Sequence, residues 1–442
     1  MCVHDHDSLP APDASLARRS VIAGAAALAG IGLLPASAAA APEPARGRPA
    51  APGYHGSAPT PPPVVVEGGT IVDPVTGDAI EDGVVVLEDG KVSAVGDRAS
   101  TRRAVAAVAG RATVVDATGR FVLPGLVDAH VHANALEDAR LILSHGATTV
   151  RSGSSSFYQD VALAALPEWA PGLSPRMHAA GLFVSPELGD SVLADPALAP
   201  LAALADGVRE PDDVAYLTRN NRKRGATVIK TRANPRAGLA EQDPLELVYG
   251  EEQLSAIVAA AKGAGVLCHS YSAEGIAGAV RAGVRSIEHG VFVNEATLAD
   301  MAARGACFTP TLSGIASMAG SRDPVLAERG REYTPVLQEA VRAAAAAGVP
   351  VVSGTDSFGT DVTPIGTEAR WLAEAGLSPL EALRSVTTTP ARLLGIERSV
   401  GRLVAGGVAD VVLLDADPLA DAAALERVSA VIAQGVIVRD DA

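Results

Sequence analysis

Two histidines stand two residues apart at the end of an apolar run, in Leu123-Pro-Gly-Leu-Val-Asp-Ala-His-Val-His132. On a β-strand, residues i and i+2 point to the same face, so His130 and His132 aim both imidazoles at one spot. Neutral imidazole is the commonest protein ligand for transition metals, and the pair has the form of the first two ligands of a metal site. Four more candidates close short apolar runs. Lys230 ends Thr227-Val-Ile-Lys, His269 ends Val266-Leu-Cys-His, His289 ends Ser286-Ile-Glu-His, and Asp356 ends Val351-Val-Ser-Gly-Thr-Asp. Singly, each has an ordinary structural explanation: a paired lysine, a hydrogen-bonded core histidine, or a helix N-cap at Asp356. Six residues in the same kind of position make a metal centre the better explanation.

Helical stretches separate these runs, among them Glu251–Lys262, Ala273–Ala282 and Glu332–Ala347. Strand–helix alternation predicts a parallel sheet. In a closed parallel barrel, catalytic residues gather at the C-terminal ends of the strands, where all six candidates fall. The expected strands are Val122–Val131, Thr148–Arg151, Arg176–Ala180, Thr227–Lys230, Val266–His269, Ser286–His289, Cys307–Thr311 and Val351–Asp356. Residues 122–398 therefore suit a (β/α)8 TIM barrel, which needs about 250 residues. Residues 64–121 and 399–442 instead alternate Val-rich runs with turns, including the hairpin signal Glu88-Asp-Gly-Lys91. The expected fold is α/β: the barrel, beside a small β-sandwich domain built from both termini. The segment from Phe157 to Arg224 is longer than one strand and helix require and is a candidate lid.

The 442 residues are 48% hydrophobic, ample for a large core, and carry a net charge of −15 with no basic cluster in the body of the chain. Nucleic-acid binding is excluded on that ground, and the expected partner is a small-molecule substrate. Of three cysteines, Cys2 falls in a segment expected to be removed. Cys268 and Cys307 are too few for a disulfide framework, and the absence of Cys-x-x-Cys argues against a zinc–thiolate site. Arg18-Arg19 precedes an apolar stretch, Val21–Leu34, too short for an ordinary membrane span, and Ala36-Ser-Ala38 offers a cleavage site. Residues 1–40 are thus expected to be an export signal of twin-arginine type. Residues 41–63, rich in Pro, Ala and Gly, are expected to form a linker. No cysteine near the cleavage site suggests a lipid anchor, so a secreted or extracytoplasmic protein without membrane anchoring is expected.

These motifs together resemble the metal-dependent amidohydrolase superfamily over nearly all of the mature chain. Phe121-Val-Leu-Pro-Gly-Leu-Val-Asp-Ala-His-Val-His132 is similar to its first-strand motif, Ser286-Ile-Glu-His-Gly290 to its sixth, and Gly354-Thr-Asp-Ser357 to its eighth. Leu377–Arg384 and Thr389–Gly395 resemble its terminal helices, and Gly406–Asp415 the strand returning to the small β-domain. Within it, the chain most resembles prolidase-like dipeptidases and carboxypeptidases, neighbours of the imidazolonepropionases. In the dipeptidase branch a carboxylated lysine on strand four bridges two divalent metals, and Lys230 sits in that place. The resemblance implies His130, His132 and Asp356 on the more buried metal and His269 and His289 on the more exposed one. It also implies that Tyr271, two residues after His269, helps hold the substrate.

The chemistry of those residue types is coherent. Two divalent ions about 4 Å apart can share one hydroxide and lower the pKa of its parent water. A neutral amine cannot bridge them, but the carbamate formed from CO2 and a buried lysine can, as an anionic oxygen donor. Asp356 would take the proton of the attacking hydroxide and pass it to the leaving amine. Mixed nitrogen and oxygen ligands suit zinc, and admit manganese, cobalt or iron. The expected activity is hydrolysis of an amide in a dipeptide or N-acyl amino acid.

Two departures from the branch bear on substrate. Gly181-Leu-Phe-Val-Ser-Pro186 stands where the family carries Gly-Gly-His, with His178 a few residues earlier, and Val150-Arg-Ser replaces Val-Arg-Asp. Arg232 follows Lys230 by two and is expected at the solvent-exposed surface rather than on a substrate carboxylate. The same centre could instead open a lactone, ester, carbamate or organophosphate. A one-metal enzyme of imidazolonepropionase type would leave Lys230 without a role. A non-catalytic binding protein would have little reason to keep the whole set.

Overall fold

The computed structural model describes residues 60–441, which fall within one compact unit. The expected export signal, 1–40, lies outside the described residues, as does the expected linker apart from residues 60–63, which carry no helix or strand.

The Val-rich runs of the N-terminal part form β1 (Val64–Val72), β2 (Ala79–Glu88), β3 (Lys91–Gly96), β4 (Thr113–Asp116) and β5 (Phe121–Pro124). The alternating middle follows with β6 (Leu126–His132), β7 (Ala147–Ser152), β8 (Arg176–His178), β9 (Ile229–Arg232), β10 (Val266–Ser270), β11 (Ser286–His289), β12 (Cys307–Thr309) and β13 (Ser357–Phe358). The C-terminal part adds β14 (Val411–Leu414), β15 (Val428–Ala433) and β16 (Val436–Asp440).

Strands from the two ends of the chain join one eight-stranded sheet in the order β16-β15-β14-β5-β1-β2-β3, with β4 on β1. Residues 64–124 and 411–440 thus share one sheet. The described ladders of this part belong to that single sheet. Its faces are packed with Val, Ile, Leu and Ala, as in the cluster of Val64, Val66, Val85, Val411 and Ile432, which accounts for the continuous β-branched runs.

The middle of the chain forms two parallel four-stranded sheets, β12-β11-β10-β9 and β13-β6-β7-β8. Segments outside the named strands bond along the edges of both sheets. On one side the Val184 N–H donates to the Lys230 carbonyl, and Val184 bridges Thr231 in parallel register. On the other, Phe308 bridges Val351, while the N–H groups of Ala129 and Asp356 donate to Ser353 and His130. Residues 350–356 thus run between β12 and β6 without forming the long eighth strand expected there. Only Val351 and then Ser357–Phe358 are paired.

The first expected strand, Val122–Val131, is also divided. Residues up to Pro124 pair with β14 in the terminal sheet, and those from Leu126 pair with β7. Gly125 makes the switch. A Cβ there would collide with Thr148 Oγ1, so only glycine lets the chain pass this close.

The helices follow local signals. Ser272 caps Ala273–Ala282 by accepting from the Gly275 N–H, and Gly283 ends it at φ +90°. Asn294 and Gly305 do the same for Glu295–Arg304. The helix expected to start at Glu332 starts at Pro324, because Asp323 caps it by accepting from the N–H groups of Val325 and Leu326. Pro335 lies inside that helix without ending it. The candidate lid is tied to the body: the hydroxyl of Tyr249, outside that segment, donates to the Val208 carbonyl at 2.6 Å. No helix among the described residues is long and apolar enough to cross a membrane.

Candidate metal centre

β6 delivers its histidines as the two-residue period requires. Both are buried, with ring centroids 5.5 Å apart. Asp356 comes from the 350–356 segment, with Oδ1 3.2 Å from His132 Nε2 and 3.4 Å from His130 Nε2. One ligand atom from each of His130, His132 and Asp356 falls within 4.8 Å of the others. Lys230, at the second position of β9, places Nζ 2.8 Å from His130 Nε2. His269 and His289 come from adjacent strands, their rings 4.5 Å apart, and the His289 ring is 5.5 Å from that of His130. The structure thus gathers all six sequence candidates.

Two of them reach the site against the backbone rule. His289 and Asp356 have φ of +68° and +54°, left-handed values uncommon outside glycine. At His289 this breaks strand alternation, so Glu288 and His289 both serve the interior. No helix begins at Asp356, which disposes of the N-cap explanation. Such backbone outliers concentrate at functional sites, where the surrounding structure holds them.

The partners of the four imidazoles fix which nitrogen faces the centre. The Ser154 carbonyl lies 3.0 Å from His132 Nδ1 and can only accept, so Nδ1 carries the hydrogen and Nε2 keeps its lone pair. Glu288 Oε2 holds His130 Nδ1 at 2.7 Å with the same result. Thr311 Oγ1 donates to the Pro310 carbonyl and so accepts from His289 Nδ1, 2.7 Å away. His269 is the reverse case. Its Nε2 donates to the Pro235 carbonyl at 3.0 Å, leaving Nδ1 with the lone pair. Burial above all pushes His130, His269 and His289 well below the ordinary histidine range, which keeps them neutral. Neutral imidazoles with oriented lone pairs, one carboxylate and a lysine amine are a donor set that fits divalent transition metals.

Glycine clears the space. A Cβ on Gly153 would lie 2.7 Å from both His130 Nε2 and His132 Nε2, and one on Gly354 would lie 2.7 Å from His130 Cβ. Behind the ligands, Asp128 accepts from the N–H groups of His130 and Thr355 and from Thr355 Oγ1. Burial raises its carboxyl to about 7. Arg151, fully buried, donates to Glu288 at 2.9 and 3.0 Å, to Ser286 Oγ at 2.7 Å and to the Ala129 carbonyl at 2.5 Å.

Sequence reasoning quoted Glu288 and Arg151 inside motifs without giving them roles. The available signal was a charged residue inside an otherwise apolar strand, since a buried charge needs a partner. Arg232 is corrected outright. It is 6% exposed, not solvated, and its Cζ lies 4.6 Å from the Phe183 ring centroid. Tyr271 is buried and stacks on His289, with centroids 5.1 Å apart and 5° between planes. His178 lies on β8, half-buried, and burial lowers its pKa. Cys268 and Cys307 are buried free thiols.

Known proteins resemble this chain in sequence and fold. The chain is 30% identical to the ochratoxinase of Aspergillus niger over 236 residues, 52% of this chain and 48% of that protein, so it spans about half the length of that relative. An uncharacterised protein of Mycobacterium tuberculosis is 32% identical over 308 residues, 65% of this chain and 78% of that one. The crystal structure of a putative prolidase from Bifidobacterium longum superposes with a TM-score of 0.72 at 28% identity, covering 86% of this chain and 95% of that one. The family model "Amidohydrolase family" matches residues 121–438, from the strand that leads into the two histidines to the last strand of the terminal sheet. With that match over most of its length, the chain belongs to the amidohydrolase family.

Proposed function

We propose that this protein is a binuclear metal-dependent hydrolase that cleaves the amide of a dipeptide or N-acyl amino acid. The observation that carries the reading is the approach of Lys230 Nζ to 2.8 Å from His130 Nε2. It brings a lysine amine against the His130–His132–Asp356 group, and in this reading the same side chain reaches the His269–His289 pair. A lysine in that position is what a two-metal centre needs once the amine has become a carbamate. In the same reading, the two parallel sheets are the halves of a (β/α)8 barrel, with the six residues at its C-terminal end.

Bound divalent ions would supply a water of lowered pKa and a Lewis acid for the substrate carbonyl. The protein's own residues do the rest. His130, His132 and Asp356 would hold one ion, and His269 and His289 the other, each imidazole locked by its hydrogen-bond acceptor. Asp356 takes a proton from the nucleophile and delivers it to the leaving nitrogen, which would otherwise depart as a poor amide anion. Tyr271, packed flat on His289, borders the second position and faces the substrate. Zinc suits this nitrogen-rich set. Export through the Arg18-Arg19 signal is part of the proposal.

The test is metal content per chain, on protein prepared with bicarbonate and without chelator. About two ions in the wild type and about one in Lys230→Ala, with loss of amide hydrolysis, support the reading. One ion in both, with activity retained in the variant, overturns the bridge and favours a one-metal cyclic-amide hydrolase.

A further inference from the structure

Phe183 stands in the stretch that departs from the family pattern, and three cationic side chains gather on its ring. Lys230 Nζ is 5.9 Å from the ring centroid, Arg232 Cζ 4.6 Å and Arg236 Cζ 5.7 Å. β9 explains two of them: residues 230 and 232 share a strand face, and the Val184 N–H holds the Phe183 segment to the Lys230 carbonyl. If Lys230 is a carbamate it leaves the set of cations, and two guanidiniums remain.

Both adjoin the His269 end of the centre. Arg232 pairs with His269 in the β9–β10 register. Arg236 directly follows Pro235, whose carbonyl takes the His269 proton. Arg236 is not a swinging surface arm. Its N–H donates to Gln242 Oε1, and its loop is clamped by Arg329, which donates to the carbonyls of Ala237, Leu239, Ala240 and Gln242. Nε of Arg236 is buried without a hydrogen-bond partner among the described residues. A preorganised guanidinium with an unused donor, beside a second guanidinium, is complementary to a planar anion.

We infer that Arg236, with Arg232 and the face of Phe183, forms a subsite for a substrate carboxylate next to the scissile amide. The inference rests on the amide-hydrolase reading and narrows it: substrates with a free carboxylate are preferred over neutral amides, carbamates and lactones.

The experiment uses the metal-loaded full chain and a panel of N-benzoyl amino acids, each paired with its primary amide. Benzoate release is followed, and binding of each pair is measured by calorimetry. The wild type is expected to favour the acids in kcat/KM by roughly 10–100-fold, the worth of charge-assisted hydrogen bonds. Arg236→Ala is expected to remove most of that preference through KM, with metal content unchanged. Arg236→Lys is expected to restore part of it, as charge without the fork. Equal wild-type rates for acids and amides overturn the inference. So does an equal slowing of both in Arg236→Ala, or loss of metal from that variant, which would tie the guanidinium to the centre itself. If no compound releases benzoate, the amide-hydrolase reading fails and calorimetry decides the subsite alone. Tighter binding of acids in the wild type but not in Arg236→Ala upholds it, and equal binding overturns it.

Discussion

Glu288 Oε2 sits 2.7 Å from Nδ1 of His130, although the two residues are far apart in the chain and Glu288 immediately precedes another ligand candidate. One strand end therefore supplies His289 to one side of the centre and the orienting carboxylate for the other. Arg151 completes the relay from β7 by donating to the same carboxylate.

Glu288→Gln should weaken both contacts. Removing such an orienting partner typically costs about 10–100-fold in metal affinity, and the buried Arg151 loses its counter-charge, which is strongly destabilising. Chelator competition should show tenfold or greater loss of affinity, with a lower Tm for the metal-free protein. Unchanged affinity would remove Glu288 from the centre.

Gly153→Ala should damage the site with little effect on the rest. Its Cβ would press on both β6 histidines at 2.7 Å. Metal content and hydrolysis should fall while circular dichroism stays native. Gly320→Ala is the control, since a Cβ there meets nothing within 4 Å and should leave metal content at the wild-type level.

Glu368 gives a pH dependence whose sign can be worked out. Burial raises its carboxyl from the ordinary value to about 7, although it accepts the N–H groups of Leu312 and Ser313. Between about 4.5 and 7 the folded chain then holds more protons at this group than the unfolded chain does. Its contribution to stability is therefore fully present below the lower value and is lost as pH rises through the upper one. Asp128, also raised to about 7, acts in the same direction, and the depressed histidines act in the opposite one. The difference between metal-free wild type and Glu368→Gln isolates the group. Tm of the variant should fall less steeply, or rise more, from pH 4.5 to 7. Parallel curves would show that Glu368 titrates normally.

Arg329→Ala should free the loop that carries Pro235 and Arg236. Four carbonyls lose their shared donor. Hydrogen exchange and proteolysis should quicken between Ala237 and Gln242, while exchange in β10 and β11 stays slow. Protection of the loop at wild-type levels would mean that other contacts hold it.

The six ligand candidates were legible in the sequence because their signal is local. A strand repeats every two residues, apolar runs mark buried strands, and the metal-binding type of residue stands at the end of each run. The helices that separate them also obey local rules, with Ser272 and Asn294 at their starts and Gly283 and Gly305 at their ends. The helix over Pro324–Ala346 was only partly legible, because Pro335 masks its continuity while its start depends on the Asp323 cap.

What tertiary structure alone decided depends on partners distant along the chain. The split of Val122–Val131 at Gly125 follows from Thr148 lying against it. The burial of Arg232, which sequence position suggested was solvated, follows from Phe183 packing beside β9. The nitrogen each histidine offers is set by Ser154, Glu288, Pro235 and Thr311, none adjacent in sequence to the histidine it serves; Glu288, next to His289, serves His130. Residue type and period name the ligands of this site, but a proton's position on an imidazole is fixed by the acceptor that folding brings within 3 Å, and no period in the sequence encodes that meeting.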